Sequence, residues 1–196
     1  QQTALRDAFV AALSLNVFHK YTDRVKMANI AQIVNVLQSM ILTDQEGTGH
    51  MVLTPTYHVF EMYTPFQEAT YLPLDLESEV MAVSRGYYKE KKKALDEGYR
   101  PCPMLSASAA KTTDGSLVLA ITNVSLDKDQ TIDFQLAGYQ AKTVSGEILT
   151  SKKVDDFNDF QHPEVVSPKP YKDAKLKKDV VTVKVPAKSI VVLNIK

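Results

Sequence analysis

Apolar side chains open the chain at helical spacing. Leu5, Phe9, Leu13 and Val17 recur about one turn apart, and Ala8, Ala11, Ala12, Leu15 and Phe18 fill most of the remaining surface. This pattern predicts a helix over residues 3–21, with Thr3 as N-cap and Asp7 near the start. A helix apolar nearly all round must be covered on several sides, and little in the next residues could cover it completely. Over residues 25–32, Val25 and Met27 alternate with Lys26, which suggests a short strand. The continuation to Thr43 puts Ile33, Leu37 and Ile41 on one helical face, with Val34 beside them. Strand, then loop and helix, would fit; periodicity does not place the switch. Residues 44–50 are polar, contain Gly47 and Gly49, and read as a loop. Thr54-Pro55 is a strong helix start, followed by Val59, Phe60 and Tyr63 on one face and a stop near Pro65.

From Ala69 the pattern changes to short runs with β-branched residues between turn signals. Strands are predicted at 70–76, 80–83, 105–110, 117–123, 131–136, 141–149, 180–185 and 190–195. Thr113-Asp114-Gly115 and Asp127-Lys128-Asp129 read as hairpin turns. Many short strands without intervening helices point to a β-sandwich or barrel. Two excursions interrupt it. Residues 84–103 are charged, with Lys89 and Lys91 to Lys93, and read as a solvated loop or short exposed helix. Residues 155–175 carry Pro163, Pro168 and Pro170 and are long for a structureless connection, which makes them a candidate functional or packing loop. The expected division is a helical part, residues 1–68, and a β-domain, residues 69–196. The helical part is strongly apolar but too small to bury its own surface, so it is expected to belong to a larger structure whose remainder lies upstream.

Composition narrows the function classes. The 196 residues carry 23 Lys+Arg against 23 Asp+Glu, which removes the usual electrostatic argument for nucleic acid or an anionic membrane surface. No apolar run is long enough to span a bilayer. The single cysteine, Cys102, allows no intrachain disulfide. His19, His50, His58 and His162 do not fall into a metal-ligand spacing, and no cofactor fingerprint appears. Asn123-Val124-Ser125 matches a glycosylation sequon.

Two groups of polar residues could bear chemistry. Asn29, Gln32, Asn35 and Gln38 interrupt one of the most apolar stretches. Buried amides need partners for donors and acceptor alike. They either bond nearby backbone or line a polar pocket, where an amide suits sugar hydroxyls because it donates and accepts together. The acidic pairs Asp155 with Asp156 and Glu77 with Glu79 sit in turns or polar strand ends. They read as solvated charges, whereas glycoside hydrolysis needs two carboxyl groups across the bond, roughly 5 to 9 Å apart.

The stretch VKMANIAQIVNVLQSMILT resembles the end of the barrel in α-L-arabinofuranosidases of glycoside hydrolase family fifty-one. The preceding ALRDAFVAALSLNVFHKYTDRV resembles the family's seventh barrel helix, and TPTYHVFEMY its last. PMLSASAAK, VSGEILTSKKVDDFNDFQHPEVVSPKPY and VPAKSIVVLNI extend the likeness over nearly the whole chain. The resemblance implies a mainly β chain: a jelly-roll-like antiparallel β-sandwich preceded by the last helices and strand of a truncated (β/α)₈ barrel. It implies a protein that releases terminal α-L-arabinofuranosyl residues from arabinan, arabinoxylan and related glycans with retention. The nucleophile and the acid/base are then glutamates at the ends of the fourth and seventh barrel strands, both absent from this chain. Gln32 matches the family's glutamine that faces the sugar at the end of the eighth strand. Asn29 would support that pocket, while Asn35 and Gln38 stay structural. The resemblance further implies no cofactor, no metal, a homo-oligomeric intact protein, and a sandwich missing a strand borrowed from the protein's N-terminus. The rival readings are a non-catalytic carbohydrate-binding sandwich, which normally offers aromatic stacking surfaces, and a purely structural assembly domain.

Overall fold

The computed structural model describes residues 3–31, 33–84 and 99–196. Helix α1 (Leu5–Lys20) is followed by a hairpin of β1 (Ile41–Thr43) and β2 (Met51–Leu53), helix α2 (Pro55–Met62) and a 3₁₀ turn at Thr64–Phe66. The strands β3 (Thr70–Leu72), β4 (Val80–Ser84), β5 (Tyr99–Pro103), β6 (Leu105–Lys111), β7 (Leu117–Asn123) and β8 (Gln130–Gln135) come next. β9 (Val144–Thr150), β10 (Lys169–Pro170), β11 (Ala174–Lys177), β12 (Val180–Val185) and β13 (Ser189–Ile195) complete the order.

A six-stranded antiparallel sheet, ordered β10-β9-β13-β7-β6-β3, faces a three-stranded sheet, β11-β12-β8. Alternation along the smaller sheet explains its two faces. Ile132, Phe134, Val181, Val183, Ala174 and Leu176 point into the intersheet core, where they meet Leu119, Ile121, Val191 and Leu193. The outer face presents Thr131, Asp133, Gln135, Lys175, Lys177 and Lys184 to water. The larger sheet is instead buried on both faces. Val118, Ala120, Ile190, Val192 and Leu149 turn away from the sandwich and pack under α1 and α2 with Leu5, Ala8, Phe9, Ala12 and Val59. This is why β7 and β13 read as nearly unbroken apolar runs: a strand covered on both faces has no solvent side to make polar. Each of the larger side chains among these, Val, Leu, Ile or Phe, contributes about 1.5–3 kcal/mol by leaving water. The intersheet core stays open beside β8, which pairs only with β12 among the described residues. A cavity of about 370 Å³ lies there, lined by Leu74, Leu119, Phe134, Leu136 and other residues.

The opening helix is therefore covered where it faces the sheet and α2. Its other side carries Val10, 64 % exposed, and Val17, 53 % exposed. Its N-cap is Ala4 rather than Thr3, and the Asp7 carboxylate accepts the Ala4 N–H at 2.8 Å. Thr3 is displaced because the chain before the helix is held extended: Ala4 bridges to Phe157. The loop expected at residues 155–175 packs at its N-terminal end, together with Val154 just before it. Val154 and Asp156 carbonyls accept the N–H groups of Arg6 and Leu5, at 2.8 and 2.9 Å. These are two of the donors a helix start leaves unpaired. Asn158, buried, holds the same segment to the hairpin by donating to the carbonyls of Leu53 and Val166, at 2.8 and 2.9 Å.

Other elements depart from expectation. Residues 25–31 form no strand, and residues 33–40 form no helix. A parallel strand needs neighbours on its edges to take up its N–H and C=O groups, and none pairs with this segment among the described residues. The chain instead folds back, with Ile33 accepting the N–H groups of Met40 and Ile41. The C-terminal end of the 84–103 excursion is strand β5, paired with β4; the rest of that expectation falls on residues 85–98, outside the described residues. β10 and β11 also form where a loop was expected.

Candidate functional site

The amide group is the first place to look for sugar chemistry. Gln32, the residue matched to the sugar-facing position, lies outside the described residues. Asn29 is exposed on the extended segment after α1. It lines a groove of about 230 Å³ with Gln38, Val10, Phe18, Ile30 and Phe60, among others. The groove thus joins α1's outer face, the 28–30 segment and α2. Asn35 is elsewhere and has a structural task. Its amide donates to Thr43 Oγ1 at 2.7 Å, and its oxygen accepts the Thr43 N–H at 2.8 Å. The clamp is made with Asn35 at φ 53°, a left-handed conformation asparagine adopts more readily than most residues.

A general acid that protonates a leaving group needs its pKa raised by an apolar setting. Every aspartate with a resolved departure moves the other way. Asp156 is held low by the Ser151 hydroxyl and the Lys153 N–H, and Asp114 falls to about 2 through Thr112 and Ser116. Glu77 and Glu79 are exposed, and Glu79 pairs with Lys128 at 3.3 Å. The acidic pairs are capped or solvated charges. Asn123 is fully buried, donating to the carbonyls of Lys128 and Val185 and accepting the Ser125 N–H at 3.0 Å. That sequon is a turn device, closed to glycosylation in the folded chain. Among the described residues no three metal-ligating side chains gather, and no helix is long and apolar enough to cross a membrane.

The polar cluster that sequence reasoning missed sits between helices and sheet. Tyr63 donates to Asn16 Oδ1 at 2.9 Å, and Asn16 donates to Ser106 Oγ at 3.1 Å. His19 Nδ1 lies 2.9 Å from Ser108 Oγ, and its ring stacks on Phe66. Partners some ninety residues apart left no local signal. Asn16 alone, a polar residue on the helix's buried stripe, hinted at it. Burial raises the Tyr63 pKa, so the phenol stays a neutral donor. Burial lowers the His19 pKa from 6.5 to about 4. The unfolded chain then takes up a proton near pH 6.5 that the folded chain refuses until about pH 4. Stability is complete above that window and falls as pH drops through it. The loss expected is about 1–2 kcal/mol, reduced because the ring remains partly open to water, which screens its charge. Urea titrations between pH 7 and pH 4 should show this slope, and His19→Gln should flatten it.

The described residues form a two-sheet sandwich with a helical shoulder fastened to its larger sheet. Residues 1–189 match the family described as Alpha-L-arabinofuranosidase C-terminal domain. The chain is 52% identical over 195 residues to an intracellular exo-alpha-L-arabinofuranosidase of Bacteroides ovatus, covering 100% of this chain and 35% of that protein. A probable alpha-L-arabinofuranosidase C of Aspergillus clavatus is 31% identical over 157 residues, covering 75% of this chain and 28% of its own length. The crystal structure of the GH51 arabinofuranosidase from Xanthomonas axonopodis pv. citri superposes with a TM-score of 0.86 at 40% identity, over 100% of this chain and 36% of that one. The chain belongs to the α-L-arabinofuranosidase C-terminal domain family, and it spans about a third of the length of the B. ovatus relative.

Proposed function

We propose that this chain is the C-terminal part of a retaining α-L-arabinofuranosidase that removes terminal α-L-arabinofuranosyl residues from arabinose-containing glycans such as arabinan and arabinoxylan. The observation that carries the reading is the end-to-end match to the B. ovatus exo-enzyme, whose length this chain covers only in its last third. On this reading residues 1–68 close a (β/α)₈ barrel and residues 69–196 form the accompanying sandwich. The apolar outer face of α1, with Val10 and Val17 exposed, supports it. The nucleophile and acid/base carboxyl groups then stand on earlier barrel strands. Gln32, supported by Asn29, hydrogen-bonds the arabinosyl hydroxyls at the end of the eighth strand, at the face where barrel active sites lie. The edge of β8 that is unpaired among the described residues, and the cavity beside it, accept a further strand from the same protein. Homo-oligomeric assembly of the full-length protein belongs to the same proposal.

The test is turnover of an aryl α-L-arabinofuranoside. The full-length protein releases the phenol and residues 1–196 alone do not. Comparable turnover by the isolated chain would end this assignment. The binding-module alternative finds little support in the sandwich: the three-stranded sheet's outer face presents lysine, threonine, aspartate and glutamine and no aromatic platform.

A further inference from the structure

The connection between β9 and β10 carries apolar side chains where a solvated loop would be polar. Phe157 is 37 % exposed, Phe160 44 % and Val165 42 %. Single exposures scattered over a surface need no explanation, but these three fall on one short, closed loop. Asn158 closes it, accepting the Val166 N–H at 2.8 Å and donating to the Val166 carbonyl at 2.9 Å. Within it, the Asp159 carboxylate accepts the N–H groups of Gln161 and His162, at 2.9 and 2.6 Å. The Asp159 N–H donates to the His162 carbonyl at 3.2 Å. Val166 is fully buried in the core shared with the helices, so the loop is anchored at its base. Phe160 and Val165 thus stand on a fixed platform and remain half in water.

The loop lies where the chain enters the domain. Ala4 forms an antiparallel bridge with Phe157, and Leu5 donates its N–H to the Asp156 carbonyl at 2.9 Å. Thr3 and Ala4 are themselves buried. A segment leading into Thr3 therefore arrives beside Phe157. We propose that Phe157, Phe160 and Val165 are the seat on which the preceding part of the same polypeptide docks against the β-domain, through an apolar segment of that part. The inference rests on reading this chain as the C-terminal part of a longer protein, of which the match to 35% of the B. ovatus relative is the sign. It adds the surface by which the β-domain holds the rest. Covering apolar side chains on a preordered loop is favourable because little conformational freedom is lost. Aromatic residues are the side chains in which interfaces are enriched. Covalent linkage gives the preceding part a higher effective concentration at this seat than a second copy has.

The experiment uses the full-length protein. With p-benzoyl-phenylalanine at position 160, irradiation is expected to join that position to a peptide upstream of residue 3 in the same polypeptide, read by mass spectrometry of the band of single-chain mass. Crosslinks confined to residues 3–196, crosslinks only between two polypeptides, or none at all overturn the inference. A second measurement compares Phe160→Cys with Lys177→Cys, an exposed position on β11. Maleimide is expected to label position 160 at least about tenfold more slowly than position 177 in the native protein, as a site reached only through local opening requires. In urea the two rates converge. Equal native rates overturn the inference. Turnover of an aryl α-L-arabinofuranoside by the same preparation keeps the two readings apart: an active protein with position 160 open loses only the docking seat, and an inactive one with position 160 open loses both.

Discussion

Replacing Gly146 by alanine is expected to destabilise the chain by about 3 kcal/mol, at the upper end of ordinary overpacking. Gly146 lies opposite Leu193 in the β9–β13 ladder, and its carbonyl accepts the Tyr171 N–H at 2.8 Å. A Cβ built there would collide with the Val192 carbonyl oxygen and lie 2.6 Å from Leu193 Cδ2 and 3.1 Å from Leu193 Cα. Two of these are backbone atoms of a strand paired on both edges, so they cannot step aside without opening ladder bonds. Glycine is needed here for room, since its backbone angles are not left-handed. The check is the urea midpoint of Gly146→Ala against the parent chain, with the slope of the transition held constant. A shift within error would mean that β9 stands further from β13 than the ladder places it.

The second large effect concerns Leu149→Ala. Leu149 is fully buried, on the face of β9 that packs under the helices. Truncating such a side chain removes about 2–5 kcal/mol, depending on how far the site collapses. The physical interest lies in the form of the loss. Helical residues Leu5, Phe9 and Val59 share one core with Val118, Ile190 and Val192 of the sandwich. The helices before residue 68, where the residue pattern changes, thus share an interior with the strands after it. Circular dichroism at helical wavelengths and tyrosine fluorescence should report a single transition at a lower temperature. Two separated transitions would show that the helices and the sandwich unfold independently.

These cores also explain what could be read from the residues in advance. β6, β7, β8, β12 and β13 were legible because alternation, or an unbroken apolar run, is written in each strand by the faces it buries. α2 was legible because Thr54 and Pro55 mark its start, and Thr54 Oγ1 does accept the Tyr57 N–H, at 3.4 Å. β11 was hidden by its lysines, although Lys175 and Lys177 merely face water between inward Ala174 and Leu176. The strand expected at residue 25 failed for a different reason. Alternation specifies which side chains could point which way, but a strand exists only when another supplies its hydrogen bonds. In the candidate site, the resemblance singled out Gln32 and Asn29 while the residues around them gave no local sign of a partner. The Asn16–Tyr63–Ser106 chain and the His19–Ser108 contact are consequences of tertiary placement.

That seam fixes more than stability. Because Asn16 and His19 each find one serine on β6, a slip of the helix along the sheet would strand two polar groups against an apolar floor. The sandwich thereby acts as a jig for α1. Through the 151–168 brace on Leu53 and on the first turn of α1, that alignment passes to the hairpin as well. Changes deep in the β-domain can accordingly alter where the β1–β2 hairpin stands.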